Sequence, residues 1–306
     1  MANVLSKSSL FPAELTNELF NLVKGKSSLA RLSGQMPLSM RGNEAFTFNF
    51  DKEVDVVAEN GAKSNGGGTI APVTVVPVKI EYGMRISDEF KYAAEEIQLE
   101  YLRAFAEGFA AKMARGLDIM AFHGVNPRTG SASAVIGNNH FDNKISQKVQ
   151  RSSGNSDDAN ADMEAAIALV MGNEYEVTGA AIAPTFKAAL AAQTYQDGRP
   201  MFPELGWGAA PDTVKGLAVD TNSTVSFGNT VSAGDLVIVG DFKDYFRYGI
   251  AKEIPIEVIE YGNPDNDAEA GDLKGHNQVY LRGEAYIGWG ILVPNAFAKI
   301  QIEAVS

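Results

Sequence analysis

Residues 87–124 read SDEFKYAAEEIQLEYLRAFAEGFAAKMARGLDIMAFHG. Phe90, Ala94, Ile97, Tyr101, Phe105, Phe109, Met113, Leu117 and Met120 recur at spacings of three and four, the apolar stripe of an amphipathic helix. Ser87 suits an N-cap, and Asp88 and Glu89 suit the positive end of a helix dipole. No proline interrupts the run, and Gly124 with Pro127 soon after supplies a stop. The spacing predicts one helix over 87–123, about 35 residues and about 50 Å long at 1.5 Å per residue. That is several times the mean helix length. Gly108 and Gly116 are places for a bend or for a close approach by another backbone.

Upstream, the period changes from helical to alternating. Phe46, Phe48 and Phe50 alternate with Thr47 and Asn49, and Val54 and Val56 continue the pattern. The stretch from Glu59 to Thr69 contains Gly61, Gly66, Gly67 and Gly68 and no core residue, the composition of a loop tip. The chain returns with Val76, Val78, Ile80, Tyr82, Met84 and Ile86 on one face. Residues 46–86 are therefore expected to form a long two-stranded hairpin, with Pro72 and Pro77 marking an edge strand. Two strands are marginal by themselves, so such an arm needs a partner surface. Residues 1–45 are mixed in character, with a short helix expected near 11–23 from Leu15, Leu19 and Val23. This segment buries little surface on itself and is expected to lie on something else.

Downstream, 124–160 is rich in turns and leads into a helix expected at 161–171. Ala180–Ala183, Leu236–Val239 and the alternating Ile254, Ile256 and Val258 read as strands, and Pro184–Leu190 as a helix opened by proline. Residues 260–276 form an acidic loop, and 277–302 are strand-rich.

Composition bounds the chemistry. The 306 residues contain no cysteine, which excludes disulfides, thiolate catalysis and cysteine-ligated metals. Residues 1–150 carry 16 Lys+Arg and 16 Asp+Glu, whereas 151–306 carry 10 and 22, so the net charge of -12 lies in the second half. No Lys/Arg cluster of the kind that binds nucleic acid is present, and the acidity reads as a solubilising surface. No secretory leader and no run of 18 apolar residues stand out, so a soluble protein made in a cytoplasm, without a membrane partner, is expected.

Several stretches resemble chemical motifs in part. Gly61-Ala-Lys63-Ser64 lacks the glycines of a phosphate loop and sits at a hairpin tip. Asp265 to Asp272 alternates oxygens like a calcium loop, but its glycine is one place late and His276 stands where glutamate belongs. His140 near Asp142 has the makings of an oriented base, yet no Gly-x-Ser-x-Gly elbow accompanies it. His123 fits a structural role at a helix end, and His276 has no metal-ligand companion at useful spacing. Trp207 and Trp289, each flanked by glycines, read as packing residues or interface anchors rather than as a ligand platform. Accordingly no catalytic, cofactor-binding or metal-binding residue is assigned, no cofactor is expected and the protein is not expected to be an enzyme.

The order of elements, together with local phrases, resembles the major capsid proteins of tailed bacteriophages, the Hong Kong 97 fold family. The phrases are Phe122-His-Gly124 with Asn126-Pro-Arg-Thr-Gly130, Val177 to Pro184, Asp197-Gly-Arg-Pro-Met-Phe202, Lys215 to Val219 and Gly240-Asp-Phe242. Tyr280 to Trp289 and Pro294-Asn-Ala-Phe297 resemble the family's closing strand and tail. The resemblance covers most of 46–300 and rests on the order of the phrases.

The resemblance implies an α+β capsid fold. Its parts would be an N-terminal arm (1–45), an extended loop (46–86), a peripheral domain (87–156 and 277–293, with a spine helix at 87–123) and an axial domain (157–276 and 294–306). It implies a structural subunit of an icosahedral phage head, located in the virion and assembled in the host bacterial cytoplasm. The implied partner is first the protein itself, in homo-pentamers and homo-hexamers. A portal protein, a decoration protein and packaged double-stranded DNA, enclosed without sequence-specific binding, are the other implied partners. Met1 stands almost directly before the arm, so a scaffolding protein is expected to be a separate chain. The alternative within the same fold is an encapsulin-like nanocompartment enclosing cargo protein. From other classes stand a hydrolase built on His140 and Asp142 and a glycan-binding module built on the tryptophans.

Overall fold

The protein is described by a computed structural model over residues 27–93, 95–151, 158–206, 208–228, 234–252 and 256–302. The helix expected near 11–23 and Trp207 lie outside these residues. In chain order the elements are α1 (Ser28–Leu32), β1 (Gly34–Gln35), β2 (Asn43–Phe50), β3 (Gly68–Val75), β4 (Val78–Ser87), α2 (Glu95–His123), α3 (Phe141–Lys144) and β5 (Lys148–Arg151). There follow α4 (Ala159–Met171), β6 (Gly179–Ile182), α5 (Pro184–Ala191), β7 (Thr213–Val214), β8 (Leu217–Thr221) and β9 (Asp235–Gly240). The chain closes with α6 (Phe242–Tyr245), β10 (Phe246–Lys252), β11 (Ile256–Ile259), β12 (Gln278–Ile291) and β13 (Phe297–Ile302).

The spine helix is shorter than its apolar stripe. Ser87 does act as a cap, but of a single 3-10 turn over Asp88–Tyr92, and Ala93 is extended before α2 begins at Glu95. The reason is the strand behind it: Asp88 N still donates to Asn277 O at 2.9 Å, so the chain must turn off the sheet before a helix can start. Gln98 Nε2 then donates to the carbonyls of Lys91 and Ala93, two acceptors that the interruption leaves without helical donors. The stop is as expected. Gly124 takes φ +67°, and the ring of His140 lies where a side chain at 124 would go.

The expected single hairpin is likewise two structures. β2 and β3 pair antiparallel from Asn43↔Val75 to Phe50↔Gly68 as a separate ladder. After Val76-Pro77 the chain joins a different sheet, where β4 pairs with β12 over ten residues. Proline at 77 has no N–H to extend the first ladder, and the break falls there.

The first sheet has the path β1-β10-β12-β11, with β4 on the other edge of β12. β10 was absent from the sequence expectation, although Phe246, Tyr248 and Ile250 alternate. The pairing also ties 246–252 and 256–259 to the sheet of the spine helix rather than to the neighbouring axial residues. Across its face, Ala285, Ile287, Trp289 and Ile291 join Phe109, Met113, Leu117 and Met120 of α2 in one buried cluster.

The second sheet runs β5-β13-β9-β6-β8-β7. Its central strands β6 and β9 are buried on both faces, which explains their continuous apolar runs. Ala181 and Ile238 turn towards the spine-helix cluster, whereas Ala180, Ile182, Val237 and Val239 turn towards α4 and α5. β13 stands between the two cores, with Phe297 in one and Ala298 and Ile300 in the other.

Candidate functional site

The β2–β3 ladder leaves apolar surface uncovered. Phe50 is 81% exposed, Val54 94% and Val56 96%, and Ile70 is also exposed. The loop at its end is closed by backbone capture rather than by a core: Gly67 N donates to Asp51 Oδ1 at 2.7 Å, and Lys52 Nζ donates to Asn65 O at 3.1 Å. Lys63 and Ser64, the remnant of a phosphate-loop pattern, lie in this exposed loop. Single exposed apolar residues are ordinary, but several together on one projection mark an interaction surface.

The root of the ladder is fixed. Val75 is fully buried, and Leu38 and Val75 press on β12 at Gly288 and Gly290, where a Cβ would stand 2.7 Å from each. The glycines beside Trp289 are therefore clearance for the hairpin root. Trp289 is buried, and its Nε1 donates to Asn139 O at 2.8 Å while Asn139 Nδ2 returns a bond to Trp289 O at 2.9 Å. It packs, as the sequence suggested, and presents no platform.

A groove of about 780 Å³ lies between β4, α2 and the loop at 126–136. Phe109, Met113, Met120 and Ile136 form its apolar floor, and Lys112, Arg115 and Arg128 stand on its rim.

The interior holds an ionic cluster that the sequence reading did not assemble. His123, at the end of α2, sets Nδ1 2.8 Å from Asp142 Oδ2 and Nε2 2.9 Å from Thr224 O. A carboxylate and a carbonyl both accept, so both ring nitrogens carry protons and the ring is an imidazolium. Burial opposes that charge, but the Asp142 bond outweighs it and raises the His123 pKa. Asp142 Oδ1 accepts from Lys299 Nζ at 2.9 Å, and Lys299, 1% exposed, also lies 3.3 Å from Asp235 Oδ1. Burial opposes ionisation of Asp142, yet His123 and Lys299 hold it well below the usual carboxylate range. Asp235 is pushed up to about 7, by burial first and then by sharing a hydrogen bond with Asp142. Gln301 Nε2 orients Asp235 by donating to its Oδ1 at 2.6 Å. His123, Asp142 and Asp235 each bring a ligand-type atom within 4.8 Å of the others, and Lys299 already supplies the positive charge among them.

Asp142 thus belongs to His123 and not to His140. The buried His140 Nδ1 has no hydrogen-bond partner, and burial lowers the His140 pKa. A second buried carboxylate, Asp118 on α2, receives bonds from Ser27 Oγ, Ser28 N, Leu29 N and Thr224 Oγ1, and so caps α1. Burial pushes it up to about 6. The acidic loop is no cation cage. Arg85 holds Asp265 in an ion pair, and Asp267 and Asp272 accept backbone N–H groups of their own loop. His276 Nδ1 meets the Asp272 carbonyl at 3.0 Å. Among the described residues, no helix is long and apolar enough to cross a membrane.

A sequence model described as the phage capsid family matches residues 8–302. Among solved structures, a chain of Mycobacterium phage Ogopogo is 31% identical, with a TM-score of 0.77 over 90% of this chain and 92% of that one. A chain of Gordonia phage Cozz is 23% identical, with a TM-score of 0.76 over 92% and 87%. The capsid of a native GTA particle shares 14% identity and a TM-score of 0.64 over 90% of both chains. No curated protein matches.

Proposed function

The chain belongs to the phage capsid family, with the Hong Kong 97-like fold, and from that premise we propose that it assembles into pentamers and hexamers that enclose packaged double-stranded DNA. It is a structural subunit of a capsid. The observation that carries the finer reading is the β2–β3 projection, whose Phe50, Val54 and Val56 are uncovered by the rest of the chain. A repeated contact between one copy's projection and the next copy is heterologous, and such contacts form rings when their rotation closes.

The domain division follows the same reading. Residues 1–45 are the arm, 46–86 the extended loop, 87–156 with 277–293 the peripheral domain, and 157–276 with 294–306 the axial domain. The strand pairings support one refinement: 246–252 and 256–259 travel with the peripheral sheet and 148–151 with the axial one. A separate scaffolding protein, a portal and a decoration protein are the proposed partners, and assembly takes place in the host cytoplasm. The chain turns over no substrate: its family is structural, and His123 is held by Asp142 and Thr224. No observation favours the nanocompartment alternative.

The test is to express the chain alone and with candidate scaffold, then sediment and image it. Shells, tubes or rings of five or six copies are expected. A chain that stays monomeric with scaffold present overturns the proposal.

A further inference from the structure

The ionic cluster sets a buried amine against one carboxyl group, with a second carboxyl group beside it. We propose that Lys299 and Asp142 become joined by an amide bond within one chain, between Lys299 Nζ and Asp142 Cγ, with Asp235 as the proton-transferring acid. Three observations carry this. First, the nucleophile is poised: Lys299 is 1% exposed on β13, with Nζ 2.9 Å from Asp142 Oδ1. Holding two reacting groups at such a distance removes much of the entropic barrier to joining them.

Second, the two oxygens of Asp142 have different partners. Oδ1 faces Lys299, while Oδ2 accepts from the His123 imidazolium at 2.8 Å. One oxygen is set to leave and the other to carry negative charge against a fixed donor. Third, a further carboxyl is present. Asp235 touches Lys299 and shares a hydrogen bond with Asp142, and Gln301 fixes its orientation. Burial favours its protonated form near neutrality, which suits a group that must both give and take a proton.

The chemistry balances. The Lys299 ammonium passes one proton to Asp142 Oδ1, leaving an amine beside a carboxyl. The nitrogen lone pair attacks Cγ and forms the C–N bond, and the carbonyl π electrons move onto Oδ2 against His123 Nδ1–H. Asp235 gives its proton to the Oδ1 hydroxyl through one oxygen and takes a proton from nitrogen through the other. The C–Oδ1 bond breaks, water leaves and the carbonyl re-forms at Oδ2. One ammonium and one carboxylate have become one amide and one water, and Asp235 ends protonated as it began. Nothing is oxidised or reduced. The Asp142 side chain is 34% exposed, which gives the water an exit. The bond would fasten the segment after α2 to β13 and so lock the spine helix to the second sheet.

The full-length folded protein decides the matter by mass. The expected intact mass is one water below that of the sequence. Trypsin is expected not to cut after Lys299, and the peptide ending at Lys144 is expected to travel linked to the peptide containing Lys299. Asp235→Asn and Lys299→Arg are each expected to restore the full mass. Folded wild-type protein at full mass after prolonged incubation, releasing a peptide that ends at an unmodified Lys299, overturns the proposal and leaves an ion pair only. Loss of water that maps to other residues overturns it equally. A linked Asp235→Asn protein overturns the role given to Asp235.

Discussion

Two antiparallel ladders stand next to each other in the chain, β2 with β3 and β4 with β12, and only Val76-Pro77 separates them. Both are read from the same signal, alternation of apolar residues. β12 has strands on both edges and the spine helix across one face, so Ile287, Trp289 and Ile291 are buried. Among the described residues the β2–β3 ladder has no further strand on either edge, and Phe50 and Ile70 remain exposed. The difference shows where folding of a single chain ends. One ladder is completed by its own chain, and the other is left uncovered by it, which is the surface the proposed assembly uses.

The strongest way to break this contrast is to replace residues 51–67 by a two-residue turn. Assembly is expected to be lost entirely in sedimentation, while the unfolding free energy of the subunit changes by less than about 0.5 kcal/mol, as for surface changes. A large loss of subunit stability in a denaturant titration would place the projection within the core and erase the contrast.

The interior should behave in the opposite way. Phe141 is fully buried among Phe122, Phe242, Phe246 and Phe297. Phe141→Ala is expected to cost about 3–5 kcal/mol in chemical denaturation. A cost below about 1 kcal/mol, the range of tolerated swaps, would mean that this cluster does not join the two sheets.

The ionic cluster sharpens the comparison through pH. His123 and Asp235 have raised pKa values in the folded state, so the stability each contributes is present at low pH and lost as pH rises through the folded value. Asp142 is lowered, and its contribution fades only on strong acidification, as pH falls towards its folded value. Where the pair remains ionic, thermal stability is therefore expected to fall as pH rises, between about pH 4 and pH 7 through Asp235 and from about pH 6.5 upward through His123, by about 1–3 kcal/mol. Asp235→Asn is expected to flatten part of that slope. An unchanged slope in that variant would remove Asp235 from the account.

The smallest effect expected is from Trp289→Phe. It deletes the donor to Asn139 O while keeping most of the apolar bulk, for about 1–2 kcal/mol. A thermal melt indistinguishable from wild type would show that the Asn139 loop finds another donor.

Much of this fold was legible because it is periodic. The stripe from Phe105 to Met120, the stop at Gly124, the helix opened by Pro184 and the run Leu236–Val239 all stand as read. The start of the spine helix was not legible, because it is set by the Asp88 bond to Asn277, some 190 residues away in sequence. His140 looked like the partner of Asp142 because it is two residues away, whereas the actual partner, His123, is nineteen away. One signal was available for the rest. Lys299 lies within Phe297-Ala-Lys-Ile-Gln-Ile302, an otherwise apolar strand where a lysine must be paired if it is buried.

The sequence by itself determined most of the elements and their order, though not the strand at 246–252, because hydrophobic period, glycine stops and proline breaks act over a few residues. It also determined that an apolar arm projects without a core of its own. Only the tertiary structure decided that β4 leaves that arm for another sheet, and that the glycines beside Trp289 make room for Val75. It alone brought His123, Asp142, Asp235 and Lys299 together. Their meeting depends on sheet pairing across more than half the chain, and burial gives the encounter its chemistry by making unpaired charge costly.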